Sequence, residues 1–151
     1  MRALLQRVSR AEVRAGGAVV GSIGRGIVVL LGVAPNDDDA IAEALARRIV
    51  ELRIHQDAAG LTNLSLREVE GAVLAVSQFT LYADTRRGRR PGFTGAARRD
   101  HAAAVYERFC AAVEELGVPT ARGRFGAPME VELVNDGPFT IWLDSAEGRP
   151  G

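Results

Sequence analysis

Apolar and polar positions alternate loosely over residues 3–8 and 12–23, with glycines as punctuation. Alternation with a period of two predicts short strands, and the glycines predict tight turns between them. Residues 26–33 and 71–76 are instead continuous apolar runs rich in β-branched side chains. Such runs are typical of strands that are buried on both faces of a sheet.

Apolar residues at helical spacing predict two helices. The first is expected to begin at Asn36 or Asp37, either of which can cap it, and to continue to about Leu52. The second is expected over residues 98–116. Its apolar face carries Ala102, Val105, Tyr106, Phe109, Val113 and Leu116.

Two closing strands are predicted at residues 129–134 and 139–143, with a turn at 135–138 between them. Residues 83–97 form a long irregular stretch, and loops of this length in compact domains are often functional. Residues 145–151 are expected to be a frayed tail.

The order of predicted elements is roughly ββ(βα)(βα)ββ. This order predicts one α/β domain over residues 1–144, with a curved, barrel-like mixed β-sheet and two main helices packed against it. A chain of 151 residues suits a single domain with a hydrophobic core.

Composition narrows the class of protein. The chain is 47% apolar and 25% charged, with a formal net charge of +0, which is ordinary for a soluble globular protein. No apolar run is long enough to span a bilayer, and the charged N-terminal segment is unlike a signal peptide, so we expect a cytoplasmic protein. The single Cys110 excludes an internal disulfide and a cysteine-cluster metal site, and no metal-ligand or cofactor motif is present.

The hydroxyls of Ser77 and Thr80 lie at the predicted end of a buried strand. They can cap a turn, or one can be a nucleophile if a base lies within reach. The only histidines are His55 and His101, and no spacing supports a triad with either. A mechanism that uses backbone N–H groups at a strand-to-loop break to stabilise an oxyanion asks less of the side chains.

Two segments carry a resemblance to a known family, and they are residues 77–81 and 135–140. Shorter matches support them at residues 5–8, 30–33, 83–86, 90–91 and 123–125. In this order and separation, both segments resemble the signature motifs of D-aminoacyl-tRNA deacylases, over residues 1–143. The departures are small: Gly92 stands where a serine is usual, and Gln56 where a small polar residue is commoner.

The resemblance implies an editing hydrolase that cleaves the ester of D-aminoacyl-tRNA, and of mischarged glycyl-tRNA, while rejecting L-aminoacyl-tRNA. It implies main-chain oxyanion stabilisation at Ser77, Gln78, Phe79 and Thr80, with the ribose 2′-hydroxyl of the terminal adenosine assisting. No cofactor is implied.

The resemblance also implies roles in selectivity and assembly. Gly137–Pro138 is expected to be a Gly–cis-Pro element that rejects L substrates by exclusion and reaches into the active site of the partner in a homodimer. Further contacts to the terminal adenosine and the acceptor stem of tRNA are expected from Arg7, Arg86, Arg87, Arg90, Phe125 and Met129.

Each of these residues has a plainer alternative. Residues 86–90 can be a solvated loop, Phe125 and Met129 can pack in the core, and Gly137–Pro138 can be a simple turn. Two other functions also remain open. One is a small-molecule esterase or amidase that uses Thr80 or Cys110 as its nucleophile, and the other is a non-catalytic RNA-binding or assembly module.

Overall fold

The computed structural model describes residues 1–147. Its strands are β1 (Arg2–Ala15), β2 (Ala18–Ile23), β3 (Gly26–Gly32), β4 (His55–Gln56), β5 (Thr62–Leu64), β6 (Ala72–Ser77), β7 (Thr120–Arg122) and β8 (Met129–Asp144). Its helices are α1 (Asp39–Glu51), α2 (Arg99–Glu115) and a short 3₁₀ helix at Phe79–Tyr82.

Strand β1 organises the main sheet. Along one edge it pairs antiparallel with β8 over nearly its whole length, from Arg2 opposite Asp144 to Ala15 opposite Met129. Along its other edge it pairs first with β3 and then with β2, both antiparallel. Strands β3, β6 and β7 then follow as parallel neighbours.

The sheet curls until its ends nearly meet. A Cβ atom on Gly21 of β2 would lie 2.7 Å from the carbonyl oxygen of Arg122 in β7, so the two strands are in close contact. The predicted fold, a curved and barrel-like mixed sheet with two helices, is confirmed.

Both faces of the central strands are buried, as the continuous apolar runs predicted. On β3, Ile27 and Val29 contribute to a core shared with α1 and α2, whereas Val28 belongs to a second core inside the curl of the sheet. On β1, the odd-numbered Leu5 belongs to the first core but the odd-numbered Ala11 belongs to the second. Irregular pairing of β1 with β8 around Val8 accounts for this change of face.

The cap of α1 differs from the prediction. The N-cap is Asp38 rather than Asn36 or Asp37, and the carboxylate of Asp38 accepts a hydrogen bond from the N–H of Ile41 at 2.9 Å. Asp37 is unavailable as a cap because its buried carboxylate accepts from the N-terminal ammonium of Met1 at 2.7 Å and from the N–H of Ala34 at 2.6 Å.

The closing strands also differ from the prediction. Residues 129–134 and 139–143 are not two strands joined by a turn, because both halves pair with β1 and form the single strand β8. The predicted turn is a bulge within that strand. Arg7 is the one residue between the pairs Gln6–Thr140 and Val8–Asn135, and residues 136–139 of β8 lie opposite it.

Several short elements were not predicted. Strand β7 carries too few residues for a periodic pattern, and β4 and β5 form a small separate hairpin. The first strand is also longer than expected, because residues 3–8 and much of 12–23 belong to one antiparallel ribbon. In the tail, Ser145 bonds through its N–H to the carbonyl of Met1 at 2.8 Å. The rest of the predicted frayed tail, residues 148–151, lies outside the described residues.

Candidate active site

An open cleft of about 670 Å³ lies where the parallel strands β3 and β6 end. Its walls come from those strand ends, from the loop before α2, from the turn before β8 and from the start of β8. The lining residues are Leu31, Val33, Val76, Ser77, Gln78, Phe79, Phe93, Ala96, Ala97, Arg99, Ala102, Phe125, Gly126, Ala127, Pro128, Met129 and Val131. The carboxyl ends of parallel strands are the usual place for a ligand site in α/β proteins.

The chain leaves β6 through a sharp change of direction at Gln78. The N–H of Gln78 donates to the carbonyl of Leu31 on β3 at 2.8 Å, and the N–H of Leu81 donates back to the carbonyl of Gln78 at 3.3 Å. The N–H groups of Phe79 and Thr80 therefore precede the first hydrogen bond of the 3₁₀ helix and have no acceptor within it. Two adjacent main-chain donors are thus presented beside the cleft.

Side chains around this strand end are more exposed than those of a core turn. Phe79 is 55% exposed and packs edge-to-face against Phe93, with ring centroids 5.0 Å apart. The amide of Gln78 donates to the hydroxyl of Thr80. Of the four predicted catalytic residues, Ser77, Gln78 and Phe79 line the cleft, whereas Thr80 lies just beyond its lining.

The cleft lining contains the hydroxyl of Ser77 but no side chain that can act as an acid or a base at neutral pH. Arg99 is the only titratable residue in its lining. His101 lies elsewhere, with Nε2 2.8 Å from the carbonyl oxygen of Asp37. Cys110 is fully buried in α2, and burial raises the pKa of its thiol to about 11. A nucleophilic role for Cys110 is inconsistent with this placement.

The bulge of β8 is anchored by Arg7, which is only 3% exposed. Its guanidinium donates to the carbonyl of Ile54 at 2.5 Å and to the carbonyl of Asp136 at 3.1 Å, and lies 4.3 Å above the ring of Phe139. The amide of Asn135 closes the bulge by donating to the carbonyls of Arg7 and Phe139.

The tip of the bulge is exposed and forms no part of the cleft lining of the same chain. Gly137 and Pro138 are both exposed, and neither lines the cleft. The peptide bond between them is cis.

The predicted nucleic-acid contacts are dispersed. Phe125 and Met129 line the cleft. Arg86, Arg87 and Arg90 are exposed on the loop before α2, and none of them lines the cleft. Arg86 is also bound to the carboxylate of Asp84 through two hydrogen bonds, at 2.9 and 2.8 Å. Its guanidinium is therefore less available to a phosphate than those of its neighbours.

Sequence reasoning missed two residues of this region. Arg99 lies in the cleft wall. The sequence did offer an indication of a special role, because Arg99 is a cation at the first position of a helix, where the helix dipole disfavours positive charge. His55 was noted only as the end of an apolar stretch, but it is 1% exposed and lies close to Arg7 and Asp136. No local sequence pattern indicates that His55 is buried close to Arg7 and Asp136.

Neither metal sites nor membrane spans are found in the described part of the chain. Residues 1–147 contain no group of three or more histidine, cysteine, aspartate or glutamate residues placed to hold a metal ion. No helix among the described residues is long and apolar enough to cross a membrane.

Together, these observations describe a single-domain α/β protein with an open cleft at the carboxyl ends of parallel strands. The family model described as D-Tyr-tRNA(Tyr) deacylase matches residues 4–144, and the chain belongs to this family. The family membership predicted from the two motifs is therefore confirmed.

Individual relatives agree with this family. The chain is 57% identical over 145 residues to the D-aminoacyl-tRNA deacylase of Symbiobacterium thermophilum, covering 96% of each chain. It is 55% identical over 151 residues to that of Thermomicrobium roseum, covering 100% of this chain and 98% of the relative.

Solved structures show the same fold. The c-Myc DNA Unwinding Element Binding Protein superposes with a TM-score of 0.90 and 38% identity, covering 95% of this chain and 98% of the other. A probable eukaryotic D-amino acid tRNA deacylase superposes with a TM-score of 0.80 and 21% identity, covering 94% and 97%. At that identity, the second likeness concerns the fold alone.

The buried His55 leads to a prediction about stability and pH. Burial, and then the positive charges of Arg25 and Arg7, lower the pKa of His55 from 6.5 to about 4, while Asp136 opposes them. Between these values the unfolded chain binds a proton that the folded chain does not. The free energy of unfolding should therefore decrease as the pH falls from about 6.5 towards 4.

This contribution can be isolated by comparing the wild-type protein with His55→Leu in urea at a series of pH values. The stability of the wild type relative to the variant should fall by up to about 1.4 kcal/mol per pH unit across that window. Parallel pH profiles for the two proteins would contradict the assignment of a lowered pKa to His55.

Proposed function

We propose that this chain hydrolyses the ester bond that joins a D-amino acid to the 3′ end of tRNA. The observation that carries the proposal is the pair of main-chain donors at Phe79 and Thr80, beside a cleft whose lining offers the hydroxyl of Ser77 but no side chain that can act as an acid or a base. Family membership supports the substrate class, and the relatives named above are D-aminoacyl-tRNA deacylases.

The reaction needs stabilisation of an oxyanion and activation of water. Two adjacent N–H groups can hold the oxygen of a tetrahedral intermediate, and losing one such donor typically costs about 2.7–4 kcal/mol. The neighbouring 2′-hydroxyl of the terminal ribose orients or activates the attacking water, so the substrate supplies what the cleft lacks. Phe125 and Met129 form the wall against which the adenine base packs.

Chirality is selected by backbone atoms rather than by a pocket for the side chain. The bulge at residues 136–138 presents carbonyl groups that Arg7 holds in place through Asp136. Carbonyls packed against one side of the substrate α-carbon leave room for hydrogen but not for an L side chain. This exclusion acts equally on all amino acids, and it leaves glycine accepted as a substrate.

The bulge can act on the substrate only from a second copy of the chain, because Gly137 and Pro138 do not line the cleft of their own chain. We therefore propose a two-fold homodimer in which each bulge completes the partner's cleft. Strand β8 supports this arrangement. Within residues 1–147 it pairs only with β1, and its exposed apolar residues are Val131, Val134 and Trp142.

The tRNA substrate also bears on location and on further contacts. Aminoacylated tRNA is used in protein synthesis in the cytoplasm, and we propose that location for the protein. Arg87 and Arg90 extend the contact to the acceptor stem, because exposed arginines suit phosphate groups.

The first prediction concerns chirality. With one tRNA charged in turn with a D-amino acid, glycine or an L-amino acid, the D and glycyl esters should be hydrolysed and the L ester left nearly intact. Discrimination should not vary with the size of the D side chain. Arg7→Met should lower the D-to-L ratio because the carbonyls of the bulge lose their anchor.

Arg47→Met is the control for that variant. Arg47 is an exposed residue of α1 that lies neither in the cleft lining nor on β1 or β8, so its replacement should change neither activity nor selectivity. Equal hydrolysis of D and L esters by the wild-type enzyme would refute the exclusion mechanism.

The second prediction concerns the nucleophile. Thr80→Ala should keep most of its kcat/KM, because the backbone N–H remains in place. Substrate that ends in 2′-deoxyadenosine should react at least about 100-fold more slowly, the usual scale for the absence of general-base assistance. Abolished turnover in a folded Thr80→Ala protein, or a trapped acyl-enzyme, would instead make Thr80 the nucleophile.

The third prediction concerns assembly. Light scattering should give about twice the chain mass of 16.1 kDa at assay concentrations. Val134→Glu should weaken the dimer and lower activity in parallel, because it places a charge at an exposed apolar position of β8. Val19→Glu is the control, since Val19 is 50% exposed on β2. A fully active wild-type monomer would rule out a bulge that works across subunits.

A further inference from the structure

Arg99 holds a defined position at the rim of the cleft. It is exposed, yet its guanidinium lies so close to the turn that forms the cleft wall that a Cβ atom on Gly126 would collide with Nη2 of Arg99. It is the one charged side chain in a lining that is otherwise neutral. Any negative charge on a ligand that enters the cleft from this side therefore meets Arg99 first.

A second depression of about 420 Å³ adjoins the cleft at this point. Its lining is Arg98, Arg99, Asp100, Ala103 and Phe125. Because Arg99 and Phe125 line both cavities, the two form one continuous surface. A ligand lying in the cleft can continue outward over the beginning of α2.

The arginines on this surface lack the partners that other arginines have. Further along α2, Arg108 binds Glu43 and Glu115 at 2.8 Å. In contrast, within residues 1–147 no carboxylate lies within 4.0 Å of the guanidinium of Arg98 or Arg99. Asp100 shares the depression, so its lining holds two cations and one anion.

A contribution to the stability of α2 does not explain why Arg98 and Arg99 stand at its N-terminus. Arg98 is the N-cap residue, but its side chain makes no capping hydrogen bond, and Arg99 follows as the first helical residue. Cations at the N-terminus of a helix are disfavoured by the helix dipole. Their presence there fits a role in binding better than a role in folding.

We propose that Arg99, with Arg98 beyond it, binds the backbone phosphate that leads into the 3′-terminal nucleotide of the RNA. This inference deepens the proposed function and rests on it. A nucleotide held in the cleft must carry its 5′ phosphate out over the rim, and a guanidinium binds phosphate oxygens with two parallel hydrogen bonds. The arginines at residues 86–90 do not line the cleft and are less well placed for this phosphate.

The binding test uses fluorescence anisotropy with an uncharged acceptor-stem RNA hairpin that ends in a single-stranded 3′ segment. Arg99→Ala should weaken binding about 10-fold or more, as expected when a hydrogen bond to a charged group is removed, and Arg98→Ala/Arg99→Ala should weaken it further. The slope of log affinity against log salt should fall by about 0.7 for each phosphate of the single strand that the variant no longer neutralises.

Two controls make this measurement specific. Arg67→Ala removes an exposed arginine just before β6, at the end of that strand opposite the cleft, and should bind as the wild type does. A blunt hairpin without the single-stranded segment should bind all variants equally. If Arg99→Ala and the double variant keep the wild-type affinity and salt slope, the phosphate site is refuted.

Hydrolysis then separates this inference from the proposed function. Arg99→Ala should lower kcat/KM for D-aminoacyl-tRNA but not for a D-aminoacyl ester of adenosine, which carries no phosphate. Equal decreases on both substrates would mean that Arg99 only supports the cleft wall, and would overturn the inference. If the wild type hydrolyses neither substrate, the proposed function fails, while the anisotropy result still decides whether the phosphate site exists.

Discussion

The pairing of β1 along both of its edges is the constraint on which the rest of the structure depends. One edge bonds to β8 over nearly its whole length, and the other bonds to β3 and then to β2. A strand that serves three partners fixes the curvature of the sheet, and the curvature creates separate cores on its two faces. Because the pairing with β8 is interrupted opposite Arg7, the same constraint also makes the bulge at residues 136–139.

The cleft follows from the parallel half of the sheet. Strands β3 and β6 end side by side, and the bond from the Gln78 N–H to the Leu31 carbonyl turns the chain into a short 3₁₀ helix. This turn leaves the N–H groups of Phe79 and Thr80 without an acceptor in the 3₁₀ helix, next to a largely apolar cleft. Donors that are built into the backbone are held rigidly in the ground state, and this preorganisation is what makes them effective towards a developing negative charge.

Charged side chains are distributed differently around the bulge and around the cleft. Around the bulge, the buried Arg7 donates to backbone carbonyls, and burial of the neighbouring His55 lowers the pKa of its imidazole. In the cleft the lining is neutral except for Arg99 at the rim. A neutral cleft with a cation at its edge suits a ligand that is uncharged at its reactive end and anionic where it leaves the protein.

Much of the fold could be predicted from local pattern alone. The runs at residues 26–33 and 71–76 predicted strands buried on both faces, and α2 lies within one residue of its predicted bounds. The residues of the first motif, at 77–80, were correctly placed at the end of a strand. Periodicity and strand-end chemistry are local properties, so a single sequence carries them.

Only the tertiary structure decided which distant groups meet. Residues 135–138 were predicted to be a turn between two strands, but both flanking segments pair with β1 and form one bulged strand. Asp37 had the chemistry of a helix cap, yet the N-terminal ammonium of Met1 bound it and left Asp38 to cap α1. Arg99, and not the arginines of the preceding loop, reached the cleft. These outcomes depend on contacts between residues far apart in the chain, and the local spacing of apolar and polar residues does not indicate such contacts.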